Sequence, residues 1–356
     1  LSNISIKIKS GTRTINPFPL LGLLDNPGLQ RKCAETYSSL NYSQSSPSSI
    51  IEPYLNHSKI HIGYFSSDFH NHATMHLMAE LFESHNKEQF EIFAFSFGPN
   101  KNDSWRDRVK LSFDEFLDVS LVSDYQITLL AKEKEIDIAI DLKGYTHNSR
   151  PQIFSEGCAP IQVSYLGYPG TMGAKFIDYL IADRILIPKK EQKHYSEKIV
   201  YMPDSYQVNM SKRTISKSYF SRENLGLPEK GFVFCCFNNN YKVTPSTFAS
   251  WARILKAVDG SVLWLFETNS FSSSQLKKEA TKYGVHEKRL VFAKRLPVEE
   301  HLSRIQQADL FLDTFPYNAH TTCSDALRVE LPILTLMGKS FASRVAASLL
   351  ESIDLS

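Results

Sequence analysis

Residues 308–327 read "ADLFLDTFPYNAHTTCSDAL". The run ADLFL is short and apolar, as a buried strand of a parallel sheet should be. It empties at Asp313 into a loop that carries His320, Thr321 and Thr322 to the start of the next helix. Strand, loop and helix start in that order make one unit of an α/β sheet, in which ligands gather at the carboxyl ends of the strands. Unpaired N–H groups at such a helix start, together with the helix dipole and two hydroxyls, suit an anion such as a diphosphate. Threonine is also an ordinary N-cap, so the pair alone reads either way. His320 and Asp325 have no evident packing role in the same turn, and they favour a site.

Outward from this stretch the same texture repeats. On its amino-terminal side lie strand-like FVFCCFNN (232–239), helical TPSTFASWARILKAV (244–258), SVLWLFE (261–267), helical SSSQLKKEATKYG (272–284), RLVFAKRL (289–296) and helical VEEHLSRIQQA (298–308). PILTLMG (332–338) follows it. A second series runs earlier: KIHIGYFSS (59–67), helical TMHLMAELFESHN (74–86), FEIFAFSFG (90–98), helical DYQITLLAKEKE (124–135), IDIAIDL (136–142) and IQVSYLGYP (161–169). Between the series, residues 198–231 read as polar and irregular. Two tandem αβ series predict two Rossmann-like lobes facing a cleft. Neither GxGxxG nor GxxxxGK[ST] is present, which argues against dinucleotide and Walker-type sites. At the start, Asn26 and Pro27 predict an N-cap and first helical position, with a helix to about Tyr37, and the Ser-rich stretch 38–49 reads as a linker. The division expected is 1–58 for the helical segment and linker, 59–205 for the first lobe, 206–230 for a connector and 231–356 for the second lobe.

At 356 residues and 42% hydrophobic content, the chain can build cores in both lobes. Forty Lys and Arg against 38 Asp and Glu leave a formal charge of +2, so nothing in the balance calls for nucleic acid or an anionic membrane. No apolar run approaches the ~20 residues of a membrane helix. Five cysteines lack CxxC or zinc spacing, which predicts buried thiols, a reducing compartment and a cytoplasmic protein.

Further candidates end strands in both series. Asn239 and Lys242 follow the strand at 232–237, where Lys242 reads as a phosphate partner or as a solvated surface charge. His301 and Arg304 share a helix face at i and i+3, placed to bracket a planar or anionic group or simply to face solvent. SSDFHNHATMH (66–76) crowds Asp68, His70, His72 and His76 into one loop and helix start. His72 and His76 have i, i+4 spacing, but the HExxH glutamate is missing and no cysteine is near, so acid–base work or substrate contact is the stronger reading and no metal is expected. DLKGYTHNSRP (141–151) and YLGYPGT (165–171) are glycine-containing strand ends suited to close backbone approach.

Taken together, GYFSSDFHNHATMHLM, DLKGYT, APIQVSYLGYPGT, YSEKIVYMP, FNNNYKVTPSTFASWARILKAV, SVLWL, DLFLDTFPYNAHTTCSDAL and SFASRVAASLL resemble, in family order across about residues 15–350, the catalytic region of the O-linked N-acetylglucosamine transferase family, including its bacterial and SPINDLY-type members. The resemblance implies an inverting, metal-independent glycosyltransferase of the GT-B fold. It would move GlcNAc from UDP-GlcNAc, a co-substrate rather than a cofactor, to Ser or Thr of protein acceptors. Lys242 matches the lysine on the donor diphosphate, Thr321 and Thr322 the pair that holds the phosphates beside His320, and Asp325 the ribose carboxylate. Asn239 stands in place of a glutamine near the phosphates, and His301 with Arg304 match uracil contacts. His72 matches the histidine proposed as base, with Asp68, Thr74 and His76 around it. Tyr145, Thr146 and the backbone of Leu166 and Gly167 match the sugar and acceptor surroundings.

The sequence departs from the family pattern at several points. Val298 replaces a base-contacting lysine of animal members, and Tyr317 a cysteine beside the donor sugar. Arg328 and Glu330 stand where an aromatic and a glycine are usual, which predicts an altered turn before PILTL. Relatives with this architecture include users of GDP-fucose and UDP-glucose, and a nucleotide-sugar epimerase or a silent sugar-nucleotide-binding module would share it. The resemblance also implies helical repeats upstream and a second lobe truncated before the family's last helices.

Overall fold

The computed structural model describes residues 1–42, 51–55, 57–218 and 220–355. The chain divides into two compact units, Leu1–Ser211 and Lys212–Ser356.

Among the described residues, unit 1 is built on a seven-stranded sheet. Its strands are β1 (Ile60–Ser66), β2 (Phe90–Ser96), β3 (Glu115–Asp118), β4 (Ile138–Asp141), β5 (Ile161–Ser164), β6 (Tyr179–Ala182) and β7 (Lys198–Tyr201), in the order β3-β2-β1-β4-β5-β6-β7. All neighbours are parallel. The crossover helices cover the sheet, and so β1 and β2 are buried on both sides over their carboxyl halves. Phe65 and Phe95 stack at 4.3 Å in the centre, with Phe154 edge-on at 5.2 Å. The chain reverses direction across the sheet between β1 and β4, where Phe65 lies opposite Asp141. That is the topological switch point, and the loops after β1 and β4 open there.

Among the described residues, unit 2 repeats the plan with five strands: β8 (Val233–Cys236), β9 (Val262–Phe266), β10 (Leu290–Ala293), β11 (Leu310–Leu312) and β12 (Ile333–Leu334). Their order is β10-β9-β8-β11-β12, again all parallel. The switch point falls between β8 and β11. The two α/β units therefore carry the doubly wound sheets expected from the alternating sequence.

Several elements differ from the sequence reading. β3, β6 and β7 are strands of four residues, too short to show a period, and β7 lies within the stretch expected to be irregular. The helices Ser2–Lys9 and Ser104–Ser112 are also additions. Asn26 does cap its helix, accepting the Leu29 N–H at 3.0 Å, but the helix continues through Asn41 and takes in the first four residues of the expected linker. The rest of that linker, residues 43–49, lies outside the described residues. The N-terminal helices close over Ile8, Leu20 and Cys33, and Arg31 donates to the carbonyls of Lys193 (2.7 Å) and Tyr195 (3.2 Å), which ties them to the segment before β7. All five cysteines are free and buried, as their spacing suggested.

Candidate functional site

In unit 1 the loop after β1 is pinned from several sides. The Ser66 hydroxyl accepts the Asp68 N–H at 3.0 Å, Arg106 donates to the Phe69 carbonyl at 3.2 Å, and Asp103 accepts the Asn71 N–H at 3.0 Å. Arg106 and Asp103 come from the helix Ser104–Ser112 and its cap, the element missing from the sequence reading. Within the loop, Asp68 Oδ2 takes a bond from Lys143 Nζ at 2.6 Å and lies 3.5 Å from His72 Nδ1. Burial pushes the Asp68 carboxyl up, but His72, Lys143 and the Ser67 hydroxyl outweigh it and hold the group below the usual carboxylate range. Asp68 is thus an ionised, locked acceptor.

His72 is the N-cap of the helix Ala73–Glu83, its Nδ1 accepting the Thr74 N–H at 3.2 Å. With Nδ1 accepting that amide proton, the ring N–H is on Nε2. The Thr74 hydroxyl sits 3.1 Å from the same nitrogen. His76 turns to Asn71 Oδ1 at 2.9 Å and packs on Trp105. His70 is buried, with Nδ1 unpartnered among the described residues, and burial and Lys101 push its pKa down. Among the described residues no three His, Cys, Asp or Glu side chains are grouped to hold a metal ion.

The loop after β4 is organised by Asp141, which accepts the Lys143 N–H at 2.8 Å and the Gly144 N–H at 3.1 Å. Full burial raises its carboxyl to about 6. Thr146 donates to the Lys143 carbonyl at 2.7 Å. Tyr145 is buried among Tyr37 and Tyr168, and its hydroxyl is spent on the Met172 carbonyl at 2.7 Å. It serves here as a packed aromatic that supports the loop. Leu166 adopts φ +62° directly after β5, and Gly167 presses so close to the Leu142 carbonyl oxygen that a Cβ would meet it at 1.9 Å. This backbone has no room for a side chain.

In unit 2 the loop after β11 folds around Asp313, which accepts the N–H groups of Ala319 (2.6 Å) and Thr314 (2.7 Å) and the Thr335 hydroxyl (2.6 Å). Asn238 bridges β8 to this loop, donating to Asp313 (3.1 Å) and Thr314 (2.8 Å) and accepting from Thr322 Oγ1. Lys242 is buried, its Nζ donating to the Asn318 carbonyl at 2.8 Å and lying 4.0 Å above the Tyr317 ring. Burial lowers its pKa to about 8 although Asp313 pulls the other way. The alternative of a solvated surface lysine is therefore set aside. His320 lies against Tyr317 at 4.9 Å and its Nε2–H donates to the Ala342 carbonyl at 3.3 Å. Burial and the nearby Lys242 drive its pKa well down, so it is a neutral imidazole. Thr321 and Thr322 open the helix Thr321–Arg328, whose first N–H groups have no intrahelical acceptor. The helix thus starts at the threonine pair itself.

Arg304 is buried, donating to His301 Nδ1 (3.2 Å) and to the Lys294 carbonyl (2.6 Å), and both side chains lie against Phe237. Burial, Arg304 and Arg213 push His301 down to about 3. Neither is a solvent-facing residue of a surface helix. Asp325 is buried and paired with Arg213. Asn239 is exposed and caps the short turn Asn240–Lys242, while its buried neighbour Asn238 makes the loop contacts. Lys143, Arg213, Asn238 and Asp313 escaped the sequence reading; for Asn238 and Asp313, the position immediately after a strand was the available signal. An open 670 Å³ depression lined in part by Ser270, Lys277, Lys288 and Phe292 shares no residue with this cluster.

The family model described as glycosyl transferase family 41 matches residues 44–218 and 211–356, most of unit 1 and the whole of unit 2. The chain belongs to glycosyl transferase family 41. Within that family it is 40% identical over 296 residues to a protein of Arabidopsis thaliana named as probable UDP-N-acetylglucosamine–peptide N-acetylglucosaminyltransferase SEC, covering 82% of this chain and 30% of that one. The Caenorhabditis elegans UDP-N-acetylglucosamine–peptide N-acetylglucosaminyltransferase is 27% identical over 417 residues, covering 84% of this chain and 36% of its own length. The chain thus spans about a third of these curated relatives. Among solved structures, an O-GlcNAc transferase of Thermobaculum terrenum superposes with a TM-score of 0.83 at 27% identity, over 94% of this chain and 64% of that one. The GT-B fold implied by the sequence resemblance is the fold of this family 41 chain. Among the described residues no helix is long and apolar enough to cross a membrane.

Proposed function

We propose that the chain is the catalytic region of a metal-independent protein O-glycosyltransferase that moves GlcNAc from UDP-GlcNAc to Ser or Thr hydroxyls. The observation that carries the reading is the pairing of a buried lysine, Lys242, with an open helix N-terminus at Thr321–Thr322 on the switch point of unit 2. Breaking the glycosidic bond develops negative charge on the departing diphosphate. A desolvated cation and a row of N–H groups stabilise that charge better than water does, because they need no reorganisation. The names of the family 41 relatives support UDP-GlcNAc as the donor and peptides as acceptors. Asp325 takes the ribose, His301 and Arg304 the uracil, and neutral His320 with Tyr317 flanks the phosphates and sugar.

The attacking hydroxyl must lose a proton. With Nδ1 of His72 occupied by the Thr74 N–H, the ring presents N–H rather than a lone pair to a substrate, and it orients the acceptor instead of deprotonating it. The proton then passes to an oxygen acceptor, either ionised Asp68 through water or the departing diphosphate.

The test is a donor panel of UDP-GlcNAc, UDP-glucose and GDP-fucose, incubated with the chain and a Ser/Thr peptide library. Free nucleotide and modified peptide are then read by mass spectrometry. Stoichiometric UDP and a GlcNAc-modified hydroxyl are expected. Transfer from another donor alone, or epimerised sugar nucleotide with no modified peptide, contradicts the reading.

A further inference from the structure

The carboxylate assigned to ribose has a partner from a different part of unit 2. Arg213 Nη1 donates to Asp325 Oδ1 at 2.5 Å, with the two side chains 4% and 9% exposed. Among the described residues Asp325 is the one acceptor Arg213 serves, and Arg213 Nη2 is buried without a partner. A buried ion pair with half a guanidinium unsatisfied is a poor device for stability, because desolvation offsets most of the attraction. Its placement is more telling. Arg213 sits on the segment that enters unit 2, and the same segment is stitched to the helix Val298–Ile305 by the Ser216 N–H to the Glu299 carbonyl (3.0 Å) and the Ser303 hydroxyl to the Ser218 carbonyl (2.8 Å). It therefore joins the helix that carries His301 and Arg304 to the helix that carries Asp325.

We infer that Arg213 is the positioning residue of the nucleoside pocket, fixing Asp325 Oδ1 so that Oδ2 is left to accept a hydroxyl of the donor's ribose. The inference rests on the donor-site reading of unit 2 given above. Burial raises the Asp325 carboxyl and Arg213 opposes it, with Arg328 and Cys323 of the same helix the other titratable or charged groups facing it. Arg213 also faces His301, which burial keeps neutral. Without Arg213 the carboxyl would lose the cation that opposes its burial and would be free to rotate, and a ribose hydroxyl would lose a fixed, charged acceptor.

The experiment titrates UDP, 2′-deoxy-UDP and 3′-deoxy-UDP into the wild-type chain, Arg213→Met and Arg213→Lys, between about pH 6 and pH 8, by calorimetry. Wild type should prefer UDP over at least one deoxy analogue by about tenfold, the scale of one hydrogen bond to a charged group. In Arg213→Met that preference should fall below about twofold, with UDP affinity rising as pH rises because the unpaired carboxyl then ionises. Arg213→Lys, which restores a cation, should recover part of the preference. A wild-type preference in Arg213→Met, with no pH dependence gained, overturns the inference; should that variant not fold, Arg213→Gln is held to the same outcomes. A wild-type chain that binds UDP without discriminating the analogues overturns this inference alone. One that binds no UDP at millimolar concentration overturns the donor-site reading, and the inference falls with it.

Discussion

Lys143 Nζ lies 2.6 Å from Asp68 Oδ2, both side chains nearly fully buried, and this pair fixes the loop on which His72 begins its helix. Removing one partner strands the other charge. Lys143→Met should destabilise unit 1 by about 3–5 kcal/mol, and Lys143→Met with Asp68→Asn by clearly less than the sum of the singles. Because the folded-state pKa of Asp68 is depressed, its contribution is complete above the unfolded carboxylate value near ~4 and is lost as pH falls below it. Urea unfolding of wild type, the two single variants and the double variant down the acid range checks both statements; equal stability of wild type and Lys143→Met refutes them.

Lys242 titrates near 8 by reason of its burial, against 10.5 when free. Between these values the unfolded chain holds a proton that the folded chain has lost, so folding stability should rise with pH across the window. Ligand binding should show the opposite trend. UDP needs the ammonium form, and its affinity should fall as pH rises through about 8. In Lys242→Ala affinity should be lower by about 1–3 kcal/mol and the pH trend should vanish. Calorimetric titration across this range reads both, and an unchanged affinity removes Lys242 from the diphosphate.

His72 has two separable roles. As a cap it is replaceable by asparagine, whose amide oxygen accepts the same N–H, so His72→Ala should cost about 1 kcal/mol and His72→Asn close to none. Transfer should be slow in both variants while UDP affinity is kept, since the ring N–H toward the acceptor is missing in each. Thermal melts and turnover measured together decide this. An asparagine variant with wild-type turnover would deny the ring any part in the reaction.

Glu330 follows the helix Thr321–Arg328 at φ +61°, so the turn before β12 keeps a left-handed residue even though a glutamate stands there. Relief of this strain, less the entropy glycine adds to the unfolded chain, should make Glu330→Gly more stable by about 0.5–1 kcal/mol. A lower melting temperature would contradict it.

The fold was legible wherever strands were long and apolar. KIHIGYFSS and FEIFAFSFG declare themselves, and ADLFL before Asp313 marked a strand end, while its place at the switch point came from the strand order. EFLD, YLIA and KIVY did not, because four residues carry no period and their pairing comes from neighbouring strands. The site shows the same division. Lys242, Thr321 and Thr322 follow strand ends and are visible locally. Lys143 and Arg213 take their meaning from Asp68 and Asp325, 75 and 112 residues distant, and only the folded units bring those charges together. Tyr145 is named by its motif, but its bond to the Met172 carbonyl, 27 residues on, is visible only in the fold.

The most direct test of the central claim is a crystal structure of the chain with UDP. Diphosphate oxygens should lie within about 3 Å of Lys242 Nζ and of the N–H groups of Thr321 and Thr322, with a ribose hydroxyl on Asp325. UDP bound elsewhere, with Lys242 Nζ still on the Asn318 carbonyl, would contradict the account.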